Sequence, residues 1–163
     1  MCAAVRAHSA GAPARIISGG QTGVDRAALD IAIELGIPCG GWCPHGRKAE
    51  DGVIPAIYPL TETSSAEYAP RTARNVYDAD ATLILACGPP TGGTALTVEI
   101  ARRAELPCLI VDLEQPPAQC EVRRWLKRHA TGTLNVAGPR ESGCPGIYDK
   151  ALAFLRTLLQ KEG

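Results

Sequence analysis

Hydrophobic and polar positions follow two alternating patterns along the chain. Short apolar runs, which are typical of buried strands, predict strands at 14–18, 40–44, 81–87, 109–113 and 133–137. Stretches with apolar residues three or four positions apart predict helices at 24–35, 69–77, from 92 onward, at 117–129 and at 146–160. The charged stretch at 47–55 lacks both patterns and is predicted to be a loop.

Strands separated by helix-length segments favour a parallel sheet with helices on both faces. We therefore predict an α/β fold with a doubly wound, mostly parallel sheet. The length of 163 residues suits one core, so we expect a single ligand-binding domain at 14–163. Residues 1–13, which are rich in small side chains, are expected to form a disordered leader.

Charge and composition narrow the range of partners. The 17 acidic residues balance the 17 basic ones, which gives no electrostatic footprint for duplex nucleic acid or an anionic membrane. Aromatic residues make up 4% of the chain, too few for a base-stacking platform. The chain has neither an apolar run of membrane-spanning length nor the apolar stretch of a secretory signal. We therefore expect a cytoplasmic protein whose partner is a small molecule.

The seven cysteines are odd in number, and Cys87 and Cys108 lie inside strand-like runs. Buried thiols in a reducing compartment explain this distribution better than disulfides do. Cys39 and Cys43 have no second pair at metal-ligand spacing, so no metal site is predicted.

The first candidate site is a glycine-rich loop between a predicted strand and a predicted helix. It contains Gly19, Gly20, Gln21, Thr22 and Gly23. Glycine lets bare N–H groups approach an anion, and the helix that follows adds the positive end of its dipole. Asp25 follows at the helix start, either as a cap or as a ligand contact. The alternative for the loop is a tight turn that binds nothing.

A second loop repeats this arrangement after the strand predicted at 81–87. Its key residues are Gly92, Gly93 and Thr94. If the two preceding strands are neighbours, both loops face one crevice, where open parallel sheets bind ligands. Neither loop matches a P-loop or the dinucleotide fingerprint, which disfavours nicotinamide and flavin cofactors. Together the two loops predict a site for a small phosphorylated ligand.

Basic residues beside loops and helix starts are candidates to flank the anion, because arginine binds phosphate with two hydrogen bonds. They are Arg26, Arg47, Lys48, Arg71, Arg74 and Arg140. For each of them, a solvated surface charge is the alternative. Glu50 and Asp51, in the charged loop, either reach a polar ligand group or are solvated.

Several runs of the chain resemble one known family, the molybdenum cofactor carrier proteins. The runs are SGGQTGVDRAALD (18–30), GGWCPHGRKAEDG (40–52), RTARNVYDADATLIL (71–85), GGTALT (92–97) and LNVAGPRES (134–142). The resemblance implies a Rossmann-like fold, self-association, and binding and protection of the molybdenum cofactor, with possible hand-over to molybdoenzymes. That cofactor is a pterin with a dithiolene-bound metal and a terminal phosphate. The residues assigned to its binding are Gly19, Gly20, Gln21, Thr22, Gly23, Asp25, Arg26, Arg47, Lys48, Arg74, Asn75, Gly92, Gly93 and Thr94, with no catalytic residue.

The chain is more distantly similar to the Lonely Guy nucleoside-monophosphate phosphoribohydrolases. Arg74-Asn75 stands where that family has Arg-Lys, and Gly92-Gly93-Thr94 falls in its P-G-G-x-G-T motif. The family's glutamate is replaced here by Leu96 or Thr97, and the next acid is Glu99. This departure favours binding over hydrolysis, with phosphoribohydrolase and nucleotide sensor as the alternatives. A Glu99 side chain in the crevice would revive hydrolysis.

Overall fold

The computed structural model describes residues 11–160. The strands are β1 (Arg15–Ile17), β2 (Cys39–Gly40), β3 (Trp42–Cys43), β4 (Lys48–Ala49), β5 (Gly52–Val53), β6 (Thr61–Glu62), β7 (Ala81–Ala86), β8 (Cys108–Asp112) and β9 (Thr133–Ala137). The helices are α1 (Val24–Leu35), α2 (Tyr68–Tyr77), α3 (Gly92–Arg103), α4 (Gln119–His129) and α5 (Ile147–Leu159), with a 3-10 turn at Glu141–Gly143. The leader expected at 1–13 falls mostly outside the described residues.

The central sheet has five parallel strands in the order β2-β1-β9-β7-β8. The chain builds outward from β1 to β2, crosses over, and builds outward from β7 to β8. β9 then returns to fill the middle, where Leu134 pairs with both Ile16 and Ala81. The predicted α/β fold with a doubly wound parallel sheet is confirmed, and it is Rossmann-like.

Helices cover both faces of the sheet. All six residues of β7 are buried, which explains its mostly apolar sequence. Its one polar side chain, Thr82, accepts a hydrogen bond from Asn135. Alternate side chains such as Leu83 and Leu85 join the main core with α1, α4 and α5. α2 and α3 pack together, and α3 also contacts β7. No helix within 11–160 combines the length and apolar character needed to cross a bilayer.

The segment at 40–44, predicted as one strand, is two short strands in different sheets. Gly41 has φ 126, and a Cβ there would lie 2.3 Å from the Ser18 carbonyl oxygen, so the chain turns at this glycine. β3 continues in a two-stranded sheet with β6, and the predicted loop at 47–55 contains the hairpin β4–β5. Two-residue strands are too short to produce a periodic apolar pattern.

The structure contradicts the prediction that the cysteines are thiols rather than disulfides. Cys87 and Cys144 form a disulfide, whereas Cys39, Cys43, Cys108 and Cys120 are free. Cys87 directly follows β7, and Cys144 follows the 3-10 turn after the adjacent strand β9. Their proximity depends on strand order, which a sequence separation of 57 residues conceals.

Candidate functional site

A cavity of about 360 Å³ lies where β7 and β9 end. Its walls come from the first glycine-rich loop, α1, α2, the second glycine-rich loop with the start of α3, and the segment after β9. The polar and glycine residues that line it include Gln21, Asp25, Tyr68, Arg71, Thr72, Gly92, Gly93, Thr94, Thr97 and Arg140. This position, outside the carboxyl ends of parallel strands, is where such sheets bind ligands.

The two glycine-rich loops do not follow neighbouring strands, because β9 lies between β1 and β7. The exit of β9, at Ala137, Gly138 and Pro139, therefore forms part of the cavity wall. The first loop and the start of α1 reach the cavity through Gln21 and Asp25, whereas the second loop borders it along its length. The second loop therefore forms more of the cavity wall than the first loop does.

Several N–H groups of the first loop and of the start of α1 are occupied within the protein. The Gln21 N–H donates to Asp25 Oδ2 at 3.2 Å, and the Thr22 N–H donates to Gln21 Oε1 at 3.1 Å. The Val24 N–H donates to the Pro139 carbonyl at 3.2 Å. A Cβ on Gly20 would lie 2.5 Å from Leu60 Cδ1, so this glycine makes room for apolar packing.

The second loop is open. Gly92 and Gly93 are exposed, and a Cβ added at either would meet no atom within 4 Å. They begin α3, where the first N–H groups of a helix have no intrahelical partner. The Thr94 N–H instead donates to the Thr91 carbonyl, and Thr97 Oγ1 donates to the Gly93 carbonyl at 2.9 Å. The open N–H groups and the helix dipole make this end of the cavity suited to an anion.

Asp25 and Arg71 form an ion pair in the cavity wall. Arg71 Nη1 lies 3.3 Å from Asp25 Oδ2, and the two side chains are 13% and 4% exposed. Burial raises the pKa of the Asp25 carboxyl, while the Arg71 charge and the Gln21 N–H act in the opposite direction. The carboxyl is therefore easier to protonate than an ordinary aspartate.

Arg71 is held in place but is not saturated with hydrogen bonds. Its guanidinium lies over the Tyr68 ring, 5.4 Å from the centroid, and a Cβ on Gly19 would lie 2.0 Å from Nη1. Within residues 11–160, its hydrogen bond goes to Asp25, and Nε is buried without a partner. Arg71 lines the cavity, so those of its other N–H groups that are accessible from the cavity can donate to an anion there.

Two of the predicted basic residues have structural roles. Arg26 binds Asp51 through both terminal nitrogens and donates from Nε to the Gly20 carbonyl. Arg47 donates to the carbonyl groups of the segment that follows the hairpin, at Ile54, Pro55, Tyr58 and Leu60. Neither residue lines the cavity, because each is used to fix a loop.

Lys48, Arg74 and Asn75 also lie outside the cavity lining. Lys48 lies over the Tyr68 ring at 5.2 Å, and Arg74 lies over the Trp42 ring at 4.5 Å. The buried Asn75 side chain bonds both the N–H and the carbonyl of Trp42, which fixes the backbone of β3. The basic residues that do reach the cavity are Arg71 and Arg140.

The acids of the hairpin bind the protein itself. Glu50 accepts hydrogen bonds from the Thr22 and Ser142 hydroxyls, and the Ser142 N–H donates to it at 3.2 Å. These hydrogen bonds lower the pKa of the Glu50 carboxyl, and the bond from the Ser142 hydroxyl has the largest effect. Asp51 pairs with Arg26. The hairpin is thereby fastened to the first loop and to the 3-10 turn.

Glu99 does not enter the cavity. Its side chain is 53% exposed and pairs with Arg103 one helical turn away, at 2.6 Å. The acid whose placement separates binding from hydrolysis therefore lies on the outer face of α3.

A second, more open cavity of about 420 Å³ lies on the other side of the first loop. Its Asp30 carboxylate accepts hydrogen bonds from the Tyr58 and Tyr148 hydroxyls at 2.7 and 2.5 Å. Burial raises the pKa of both phenols, that of Tyr148 to about 12. Asp149 adds a further acid, so this cavity is unsuited to an anion. Across 11–160, no three His, Cys, Asp or Glu residues are placed to hold a metal ion.

Arg71 is not among the binding residues assigned from the sequence, and neither Tyr68 nor Thr97 is proposed there as a ligand contact. The positions of Tyr68, Arg71 and Thr72 do carry a signal, because spacings of three and four put them on one face of α2. What the sequence could not show is that this face turns toward the second loop.

Comparison with known proteins gives two matches. The model of the circularly permutated YpsA SLOG family matches residues 16–159. The chain is also similar to the crystal structure of a protein from Syntrophus aciditrophicus SB named "putative molybdenum carrier protein". The two are 44% identical with a TM-score of 0.89, over 92% of this chain and 97% of that chain. No curated protein matches.

Proposed function

The chain belongs to the circularly permutated YpsA SLOG family, and on that premise we propose that it binds and carries the molybdenum cofactor. The name of the similar structure, a molybdenum carrier, supports this proposal. The ligand is an anionic, phosphorylated pterin, and its metal is cargo rather than a resident group of the protein. The cavity of about 360 Å³ falls within the usual size range of small-ligand sites.

The observation that carries the proposal is the unsaturated Arg71 in the wall of this cavity. A guanidinium carries five N–H donors, and the hydrogen bond to Asp25 uses only one of them, so Arg71 can donate to an anion bound in the cavity. The open N–H groups of Gly92 and Gly93 line the same cavity. We place the phosphate on the second loop, since Gln21 and Thr22 of the first loop already use their N–H groups within the protein.

Arg140 lies at the edge of the cavity, and its side chain is 54% exposed and 3.7 Å from Glu50. It adds positive charge at the cavity entrance. The Tyr68 ring and the prolines Pro89 and Pro90 give the cavity apolar surface for a planar ring.

The direct test is to denature the purified protein and identify the released ligand by mass and by molybdenum content. A phosphorylated pterin with molybdenum is expected, and a different ligand would contradict the proposal. The role of the site is tested with Arg71→Gln against the matched variant Arg74→Gln. Arg71→Gln should weaken binding of a pterin phosphate more than tenfold, which is about 1.4 kcal/mol. Arg74→Gln, whose guanidinium lies on Trp42, should leave it unchanged.

Self-association is part of the same proposal. Ile110 on the edge strand β8 is 42% exposed, and Leu96 and Ile100 on α3 are only half-buried. These side chains offer an apolar surface for a second copy. Light scattering at tens of micromolar checks this point, and a monomer with and without ligand would contradict it.

A further inference from the structure

The anion in the proposed function would enter a cavity wall that already contains a carboxyl group. Asp25 is bonded to the guanidinium that is expected to bind the ligand, and its side chain is 4% exposed. Its Oδ2 accepts from the Gln21 N–H at 3.2 Å and from Arg71 Nη1 at 3.3 Å. Water therefore has little access to screen a second negative charge from this carboxylate.

Two anions that share one guanidinium in a buried site repel each other. When two acidic groups are forced together in this way, one of them holds its proton more tightly. Arg71 and the α3 N-terminus stabilise both charges of a bound phosphate ester and so oppose its protonation, which ordinarily occurs near about pH 6. The group that can be neutralised at low cost is the Asp25 carboxyl.

We propose that Asp25 takes up one proton from solvent when the cavity binds a dianion, so that ligand binding and proton binding are coupled. The inference rests on the proposed function, because it uses the same cavity and the same arginine. In the free protein, Arg71 pairs with the Asp25 carboxylate. In the bound protein, Arg71 pairs with the anion, and the proton resides on a carboxyl oxygen of Asp25.

The burial of Asp25 supports this exchange. Burial already raises the pKa of the free carboxyl despite the neighbouring arginine charge. A dianion at Arg71 removes part of that favourable charge and adds a repulsive one, and both effects raise the pKa further.

The other ionisable groups around the cavity are basic, phenolic or disulfide-bonded. From the described elements around the cavity these are Tyr68 and Arg71 of α2, Lys48 of β4 against Tyr68, Arg140 after β9, and Cys87, which is in the disulfide. The start of α3 contributes glycine and threonine only. Within residues 11–160, Asp25 carries the one carboxyl group that lines this cavity, so we assign the proton to Asp25.

The experiment uses sulfate, which stays a dianion from mildly acidic to mildly basic pH and takes up no proton itself. Calorimetric titrations of the full chain in buffers with different ionisation enthalpies give the number of protons bound per sulfate. We expect proton uptake that approaches one. Affinity should fall as the pH rises between the pKa values of the free and bound carboxyl, by up to about tenfold per pH unit.

Asp25→Asn separates this coupling from a purely positioning role. If Asp25 only orients Arg71, the variant should bind sulfate more weakly at every pH. If the carboxylate opposes the anion, the variant should bind sulfate more tightly than the original chain at pH 8, with no proton uptake.

Sulfate binding by the unmodified protein without proton uptake, or no sulfate binding at all, overturns the inference, and neither result needs the variant to fold. The proposed function fails separately, if the released ligand is not a molybdenum-bearing pterin. Coupled sulfate binding would remain valid in that case.

Discussion

The role of Gly19 could not be predicted from its residue type, because the sequence does not show which group occupies the space beside it. The sequence suggested that its missing side chain admits a ligand, but the space is taken by the guanidinium of Arg71, 2.0 Å from the Cβ position. Asp25 Oδ2 lies 2.9 Å from the same position. Gly19 therefore serves the site indirectly, because it lets the buried ion pair lie flat against the first loop.

Gly19→Ala should displace Arg71 from Asp25. The atom that the new Cβ would displace, Arg71 Nη1, is the end of a long side chain. We therefore expect a loss of only about 1 kcal/mol in the free energy of unfolding. The affinity for a pterin phosphate or sulfate should fall about tenfold or more, since the anion loses its arginine.

Urea unfolding and calorimetry measure the two effects. The control for the unfolding measurement is Gly143→Ala, where the new Cβ would lie 3.8 Å from Arg140 Cγ and meets no clash. It is not a control for affinity, because Gly143 also lines the cavity. Unchanged ligand affinity in a folded Gly19→Ala protein would show that Arg71 is not the anion contact.

At the scale of elements, long strands and helices were predictable and short connections were not. β7 and β9 are mostly buried and largely apolar, and the helices carry apolar faces. The buried polar side chains of Thr82 and Asn135 bond to each other across the two strands. The hairpin β4–β5 has no such signal, since it is held by the charged side chains of Glu50 and Asp51. A charged sequence reads as a solvated loop unless its partners, remote in the chain, are known.

Contacts between remote segments also explain why only part of the candidate site could be predicted from the sequence. The second loop borders the cavity as expected, whereas the charges of Arg26 and Arg47 are turned inward to hold loops. Which arginines stay available depends on contacts between segments far apart in the chain.

The docking of the hairpin should respond to acid. The pKa of Glu50 is lowered in the folded protein by the Ser142 and Thr22 hydroxyls, so the carboxylate stabilises the fold above the unfolded pKa of about 4.3. This contribution is lost as the pH falls through the lower, folded value. Glu50→Gln should cost about 1 kcal/mol at pH 7, and the difference from the original chain should shrink toward pH 3.

Urea unfolding at pH 7, 5 and 3 tests this expectation. Glu99→Gln is the matched control, because it removes an exposed helical ion pair worth about 0.5 kcal/mol or less. A Glu50→Gln deficit that stays constant down to pH 3 would mean that the carboxylate charge is not what fastens the hairpin.

Across the whole molecule, the disulfide joins two walls of the cavity. Cys87 lies at the start of the second loop, and Cys144 follows the segment that carries Arg140. The bond closes a long covalent loop that includes β8, α4 and β9.

Reduction should therefore lower the stability of the entire fold. For a sequence separation of 57 residues, the restriction of the unfolded chain is worth about 2–4 kcal/mol. The midpoint of urea unfolding should fall when a thiol reductant is added to the original chain. Cys87→Ser should show the lower midpoint with and without reductant, and equal midpoints for the original chain in both conditions would contradict the prediction.

The position of β9 between β1 and β7 also affects folding during synthesis. Chains emerge from the ribosome with the N-terminal end first, so β1 and β7 are complete before the strand that lies between them has been synthesised. Until residue 137 emerges, the inner edges of both strands lack their partner, and unpaired edges readily bind other chains. The cavity also lacks its Ala137–Pro139 wall during this period. A ligand can therefore bind in the complete cavity only after this segment has emerged, and a chain stalled near residue 130 would lack that cavity wall and would be prone to aggregate.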